Sequence, residues 1–429
     1  MAAKNEIGVG LLGLGVIGSQ VASHLLQHSE TLSSHLDGPL VLRRVLVRDA
    51  DVPRSLSLPE GVLTNDFNAV LNDPDIHIVV EVMGGENPAA DYLMQLLQKG
   101  KSVVTANKEV MAKHGPSLME AAARSGAQLR FEASVGGGVP IIGPLQNDLL
   151  ANDITSIRAI INGTTNYILT QMAQEGVDFS VALAQAQKLG YAEPNPTNDV
   201  EGIDAAYKIA ILASLAFHTA IAPQQVYCEG ITTLQSEDFE FAHELGYEIK
   251  LLAIAKRTED GVQARVHPAL VHKESMLAKV EGAFNAVEVC GDLVGPVVFH
   301  GLGAGPAPTT SAIIGDLLAV ARSSANPSPA RPWSVLPMKA MADLETQYYL
   351  RVSVADQSGV LGQIARVFGD NNISIATLTQ KDVDNQLGTA QLVITTHPAR
   401  EAAMQTALQI IKQLPVLQEV NNLLRVEPI

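Results

Sequence analysis

Positive charge is scarce in this sequence. Lysine and arginine number 29 against 45 aspartates and glutamates, a formal net charge of -16. No basic stripe is present to neutralise phosphates, so nucleic acid and anionic membrane are excluded as expected partners. Cysteine is almost missing too. Cys228 and Cys290 stand far apart with no metal-ligand spacing. They read as packed thiols of a reducing, cytoplasmic protein rather than as a disulfide or metal site. Long apolar runs are absent: none reaches the roughly 18 residues of a membrane span. The nearest, 209–222, is interrupted by His218. His267 and His272 also lack metal spacing and read as structural.

What is present is a globular composition. With 429 residues, 47% apolar and 17% charged, the chain has material for two or three domains with cores of their own. The start, Lys4 and then IGVGLLGLGVIG, imitates a signal peptide, but its glycines carry a better explanation. Residues 6–12 (EIGVGLL) suit a buried parallel strand. Gly13-Leu-Gly15-Val16-Ile17-Gly18 follows, and then the helical pattern VASHLLQH. Gly13 permits a tight turn, Gly15 lets a pyrophosphate approach the backbone, and Gly18 lets helix and strand pack closely. The pattern predicts dinucleotide binding. A second strand, 40–47, ends at Arg48-Asp49. An acidic residue there suits ribose hydroxyls and an arginine suits a 2′-phosphate. Arg48 leans the reading toward NADP over NAD. The segment between, SETLSSHLDGP, reads as a long loop.

Further strands are expected at 76–82 (IHIVVEV), ending in Met83-Gly84-Gly85, and at 101–105 (KSVVT). A helix opened by Asn87 or Pro88 separates them. Ligands of open α/β sheets bind outside the carboxyl ends of the strands, which places Lys108 to meet cofactor or substrate. The competing reading is a solvated surface lysine. A strand over 129–135 (LRFEASV) runs into Gly136-Gly137-Gly138. Carbonyls beside Glu132 there suit a hard cation, and a glycine hinge explains the same residues equally well.

From about 150 the pattern changes. ITSIRAIINGTTNYILTQMAQ reads as strand, turn and helix, with Asn162, Thr164 and Thr165 as polar groups of which one caps the helix. The helix 179–190 ends at a glycine and delivers the chain to 190–217, GYAEPNPTNDVEGIDAAYKIAILASLAF. Its first half is a polar loop carrying Glu193, Asp199 and Glu201. Its second half is a helix almost wholly apolar after Lys208, hence buried. Asp204 and Lys208 stand at its start, four residues apart and so on one face. Two charges at the mouth of a buried helix need pairing, water or a ligand. A structural ion pair and a chemical pair both satisfy that demand.

Residues 223–300 read as strands and short helices. Gly301-Leu-Gly303-Ala-Gly305 then opens a helix over 308–322. A proline-rich linker follows. Beyond it YYLRVSVAD, SGVLGQIARVFGDNN, ISIATLTQKDV, TAQLVITTH, REAAMQTALQIIKQL and the run ending LLRVEPI spell β-α-β-β-α-β, a ferredoxin-like module. It carries no catalytic set, so regulation or assembly is its expected role.

Taken in order, GLGVIG, VVEVMGG, VTANKE, FEASVGGGVPII, INGTTNYIL, LGYAEPNPTNDVEGIDAAYKIAIL and GLGAGPAPTTSAIIGD resemble homoserine dehydrogenases. DQSGVLGQIARVF and NNISI resemble ACT domains. The resemblance implies an α/β fold of three parts. These are a Rossmann-type NAD(P)-binding domain (1–135, completed by helix 308–322), an α+β catalytic and dimerisation domain (136–322) and, after a linker (323–346), a ferredoxin-like ACT domain (347–429). It implies interconversion of L-homoserine and L-aspartate 4-semialdehyde with NADP or NAD, on the route to threonine, isoleucine and methionine. By residue it implies Lys208 as proton donor and acceptor with Asp204 beside it. Glu193 would hold the substrate amine, with Lys108, Asp199 and Gly190 also at the substrate. Gly13, Gly15, Val16, Ile17, Gly18, Arg48, Thr105, Lys108 and Gly303 would meet the cofactor. Glu132 with the carbonyls of Val135, Gly137 and Val139 would hold a monovalent cation such as Na+. With Met1 as its start, the chain resembles the monofunctional type. Threonine feedback and a homo-oligomer, dimer or tetramer, are expected by analogy.

Overall fold

The computed structural model describes residues 6–50, 52, 56–322, 333–384 and 388–427. The linker expected over 323–346 and the turn expected near 384–388 therefore lie partly outside the described residues. The chain divides into two compact units. The first comprises Met1–Ile154, Tyr207–Gln224 and Cys290–Val335; the second comprises Thr155–Ala206, Gln225–Val289 and Leu336–Ile429.

The first unit is built on short, almost wholly apolar strands. Ile7–Leu12, Leu40–Leu46, Leu63–Thr64, Ile78–Glu81, Ser102–Thr105 and Leu129–Arg130 form one parallel sheet. In chain order its strands lie 3-2-1-4-5-6, the doubly wound arrangement with a crevice where the order reverses. That crevice lies between Ile7–Leu12 and Ile78–Glu81. The helix Val16–Gln27 turns Val21, Ala22 and Leu25 into the core above Val9, Leu11 and Val80. The helix Pro306–Arg322 adds Ile313, Leu317 and Val320 to that same core. Each such aliphatic side chain contributes about 1.5–3 kcal/mol by burial, so Leu317→Ala alone would loosen that helix.

Two expectations in this unit change. The loop expected after the first helix contains a short helix, Ser29–Ser33, whose Ser33 hydroxyl donates back to the Ser29 carbonyl. The strand expected over 129–135 stops at Arg130 and tightens into a 3-10 turn, Glu132–Ser134. The Glu132 N–H donates to Asp316 Oδ2 at 2.8 Å instead of entering a ladder. That bond ends the strand.

The second unit carries a mixed sheet. Its strands follow the order Phe284–Gly291, Ile154–Ile160, Tyr247–Thr258, Gly261–His272, Leu417–Glu427, Glu345–Ala355, Thr389–Thr396 and Ile375–Asp384. The last four, with helices Val360–Asp370 and Glu401–Ile411, form the expected β-α-β-β-α-β module. Ile364, Phe368, Met404 and Leu408 fill its core. The sequence implies a module that starts afresh, but its final strand pairs in parallel with Gly261–His272 through Ala269↔Arg425, Leu270↔Val426 and Val271↔Glu427. Arg425 and Glu427 are buried at that seam.

Candidate active site

At the crevice of the first unit each glycine of the 13–18 turn has its own geometry. Gly13 has φ +100°, a conformation L side chains rarely adopt. A Cβ on Gly18 would lie 2.2 Å from the Gly13 carbonyl oxygen, so only glycine allows helix and strand this close. Around Gly15 a Cβ would meet nothing within 4 Å. Gly15 also heads the helix Val16–Gln27 with no side-chain cap. Its first N–H groups are thus left for an anion. Open space at Gly15 and an uncapped helix start fit a dinucleotide pyrophosphate. Val16 is exposed beside them, Ile17 packs against the core, and Arg48 stands exposed past the second strand.

Across the crevice a polar network is buried beneath the strand ends. Glu81 is fully buried and accepts from Thr105 Oγ1 at 2.5 Å and from the Met83 N–H at 2.7 Å. Burial pushes its carboxyl above the ordinary range, and the bonds from Thr105, Met83 and Asn107 oppose that shift. Thr105 Oγ1 accepts from the Asn107 N–H at 3.0 Å. Asn107 caps the helix Lys108–Ser125 by accepting from the Val110 N–H at 3.1 Å. Lys108 opens that helix and is exposed. The Thr105 side chain is committed to Glu81, and the whole residue is buried.

Glu132 lies at a second helix start. Its Oε1 accepts from the N–H groups of Ile141 (2.6 Å) and Ile142 (2.8 Å), and its Oε2 from that of Gly143 (2.6 Å). The carbonyls of Val135, Gly137 and Val139, three buried residues, accept no hydrogen bond among the described residues. Gly137 packs so tightly on Gly303 that a Cβ would lie 2.7 Å from the Gly303 carbonyl oxygen. Asp316, in contact with Glu132, has its carboxyl pushed up to about 7 by burial and by the Glu132 charge.

In the second unit, Asn162 caps the helix Gly163–Glu175, its Oδ1 accepting from the Thr165 N–H at 2.9 Å. Its Nδ2 donates to Asp199 Oδ1 at 2.7 Å and to Asp204 Oδ2 at 2.9 Å. Asp204 is buried. Lys208, one turn along the helix Ile203–Phe217, is buried too and falls in the first unit. The loop before it begins at Gly190 (φ +79°) and is pinned by Thr164 Oγ1, which donates to the Tyr191 carbonyl at 2.6 Å. Glu193 projects from this loop, exposed.

Comparison with known proteins follows these same segments. Homoserine dehydrogenase matches residues 140–318, its NAD binding domain matches 13–132, and the ACT domain matches 348–416. The homoserine dehydrogenase of Corynebacterium glutamicum is 40% identical, over 99% of this chain and 96% of its own. The chain belongs to the homoserine dehydrogenase family. The Synechocystis homoserine dehydrogenase is 42% identical over 98% of this chain and 99% of its own. A crystal structure of a homoserine dehydrogenase from Thiobacillus denitrificans superposes with a TM-score of 0.92, at 40% identity and 99% coverage of both chains. A hyperthermophilic archaeal homoserine dehydrogenase in complex with NADPH, 24% identical, shares the fold over 76% of this chain and 100% of its own, with a TM-score of 0.63. This homoserine dehydrogenase family member is accordingly an NAD(P)-dependent oxidoreductase acting on a CH–OH group, with an ACT domain at its C-terminal end. Among the described residues, no helix is long and apolar enough to cross a membrane.

The roles of two residues of this dehydrogenase are not marked in the sequence pattern. Of the three polar candidates for the helix cap, Asn162 is the cap, and its amide also holds two carboxylates, which a one-dimensional pattern cannot express. Glu81 looked like part of an apolar strand. A lone acid in IVVE, at the carboxyl end of a buried strand, was the available signal.

Proposed function

We propose that the protein interconverts L-homoserine and L-aspartate 4-semialdehyde, in the cytoplasmic biosynthesis of threonine, isoleucine and methionine. The observation that carries the residue assignment is Asp204, buried and fixed by Asn162, one helical turn before the buried Lys208. On this reading the lysine and the carboxylate, kept out of water on one helix face, act as a proton-transfer pair rather than as a structural ion pair. Bound NADP or NAD supplies the hydride acceptor or donor for the substrate C4. In oxidation, Lys208 as a neutral amine takes the proton of the C4 hydroxyl while hydride leaves that carbon. In reduction, the Lys208 ammonium returns the proton to the aldehyde oxygen as negative charge builds there. Asp204 orients Lys208 and offsets its charge. Glu193 pairs with the substrate amino group, and Lys108, Asp199 and Gly190 complete the substrate site.

Gly13, Gly15, Val16, Ile17, Gly18, Thr105 and Gly303 line the cofactor, and an exposed Arg48 favours the 2′-phosphate of NADP. Glu132 and the carbonyls of Val135, Gly137 and Val139 hold a sodium-like cation. Three unused carbonyls beside one carboxylate have the chemistry of a hard monovalent ion site. The working division of the chain is a dinucleotide domain (1–135 with 308–322), a catalytic and dimerisation domain (136–322), a linker (323–346) and a regulatory ACT domain (347–429) in a homo-oligomer. Threonine is the proposed effector.

Steady-state kinetics test the reading. L-homoserine should drive reduction of NADP or NAD while 2-hydroxy acids do not, and threonine should lower the rate. Absence of any homoserine-dependent nicotinamide signal refutes the activity. An unchanged rate with threonine refutes the regulation alone.

A further inference from the structure

Glu81 ends the strand Ile78–Glu81 with its side chain fully out of water. No lysine, arginine or histidine forms an ion pair with it among the described residues. A carboxylate buried without a counter-charge is costly, and an apolar side chain would suit a buried parallel strand better. The geometry supplies a reason for the acid. In the sheet, Glu81 pairs with Leu12 on one side, directly before the Gly13 turn, and with Thr105 on the other. Its Oε1 takes the Met83 N–H (2.7 Å) and its Oε2 the Thr105 hydroxyl (2.5 Å). Thr105 holds the Asn107 N–H, and Asn107 Nδ2 donates to the Gly85 carbonyl at 2.7 Å. One carboxylate thus ties the 83–85 turn to the first turn of the helix that begins with Lys108.

We infer that Glu81 is a positioning residue for hydride transfer: it fixes the 83–85 turn and the Lys108 helix start around the nicotinamide end of the cofactor and the substrate. The inference rests on the dehydrogenase reading above. The Glu81 carboxylate bonds to Met83, Thr105 and Asn107 and, among the described residues, to no group of the Gly13–Gly18 turn. Its loss therefore acts on turnover more than on affinity.

Glu81→Gln keeps the shape but offers one acceptor oxygen for two donors, so either the Thr105 hydroxyl or the Met83 N–H loses its partner. It should lower kcat roughly tenfold or more. The dissociation constant of reduced cofactor, read by its fluorescence, and the thermal midpoint should stay close to the parent's. The isosteric Thr105→Val, which lacks the hydroxyl, should lose kcat as Glu81→Gln does, and Thr105→Ser, which retains it, should recover a large part of that loss. Parental kcat in Glu81→Gln overturns the inference. So does a parallel fall of kcat, cofactor affinity and thermal midpoint, which marks a general lesion. If Glu81→Gln fails to fold, the Thr105 pair decides: equal kcat in Ser and Val variants overturns it. Failure of the dehydrogenase reading shows separately, as a parent protein with no homoserine-dependent turnover.

Discussion

Arg351 Nε donates to Asp238 Oδ1 at 2.8 Å, and both side chains are buried. Arg351 belongs to the first strand of the C-terminal module and Asp238 to the helix Ser236–Glu244 outside it. Asp238 also accepts from Asn422 Nδ2 at 2.8 Å, and Arg351 Nη2 donates to Gln235 Oε1 at 2.6 Å. Farther along the seam Arg425 binds Glu401 at 2.6 Å and Glu229 at 2.7 Å. The ACT module is therefore joined to its neighbour by continuous sheet, by the buried Arg351–Asp238 pair and by the partly buried Arg425–Glu229 pair. Any effector that shifts its strands has a stiff connection to act through.

The Arg351–Asp238 pair makes a definite stability prediction. Asp238→Ala strands a buried guanidinium and should cost about 3–5 kcal/mol. Adding Arg351→Met removes the stranded charge and should restore most of the loss. Urea denaturation of both variants checks this; a double variant no more stable than the single refutes it.

The glycine turn separates binding from folding. Gly15→Ala meets only open space, so the thermal midpoint should hold while the cofactor KM rises roughly tenfold or more. Gly18→Ala drives a Cβ into the Gly13 carbonyl and should lower stability and cofactor binding together. Cofactor titration beside thermal melts distinguishes the two. A Gly15→Ala variant with parental cofactor KM argues against a pyrophosphate there.

Much of this was legible in the sequence because period and punctuation encode it. The run IGVGLL before Gly13 fixed a buried strand and a turn, and the apolar stretch after Lys208 fixed a buried helix. Asp204 and Lys208 announced themselves as charges at its mouth. Relationships between distant segments were not legible. Nothing in the pattern around Arg425 says that its strand pairs with Gly261–His272, because a parallel pair has no shared turn to mark it. Nor does LRFEASV reveal its early end, since Asp316 (184 residues away) takes the Glu132 N–H.

The proposed proton pair is tested by two substitutions with different signatures. Lys208→Ala removes the general acid and base and should lower kcat by roughly 10²–10⁴ with the fold intact. Asn162→Ala removes one hydrogen bond from each of Asp204 and Asp199 and uncaps the helix Gly163–Glu175. It should cost about 1 kcal/mol of stability and lower kcat less than Lys208→Ala does. Circular dichroism and steady-state rates measure both. Near-parental turnover in Lys208→Ala removes it from the mechanism.

The Asp316 carboxyl sets a pH dependence whose sign is fixed. Its folded value is pushed up to about 7, chiefly by burial, above an unfolded value of about 3.9. Between those values the folded protein holds a proton that the unfolded chain has released. Stability from this group is therefore full below about pH 4 and is lost as pH rises toward 7. Asp316→Asn keeps an acceptor for the Glu132 N–H but carries no charge at any pH. Its thermal midpoint relative to the parent should accordingly improve from pH 4 to pH 7 and stay level above. Partial exposure of the side chain screens the effect, so a gain of roughly 1–2 kcal/mol is expected at the plateau. Melts of both proteins across pH 4–8, in buffer of constant sodium concentration, give the difference directly. A difference that is flat with pH, or that widens in the parent's favour, shows that Asp316 is ionised in the folded protein throughout the range.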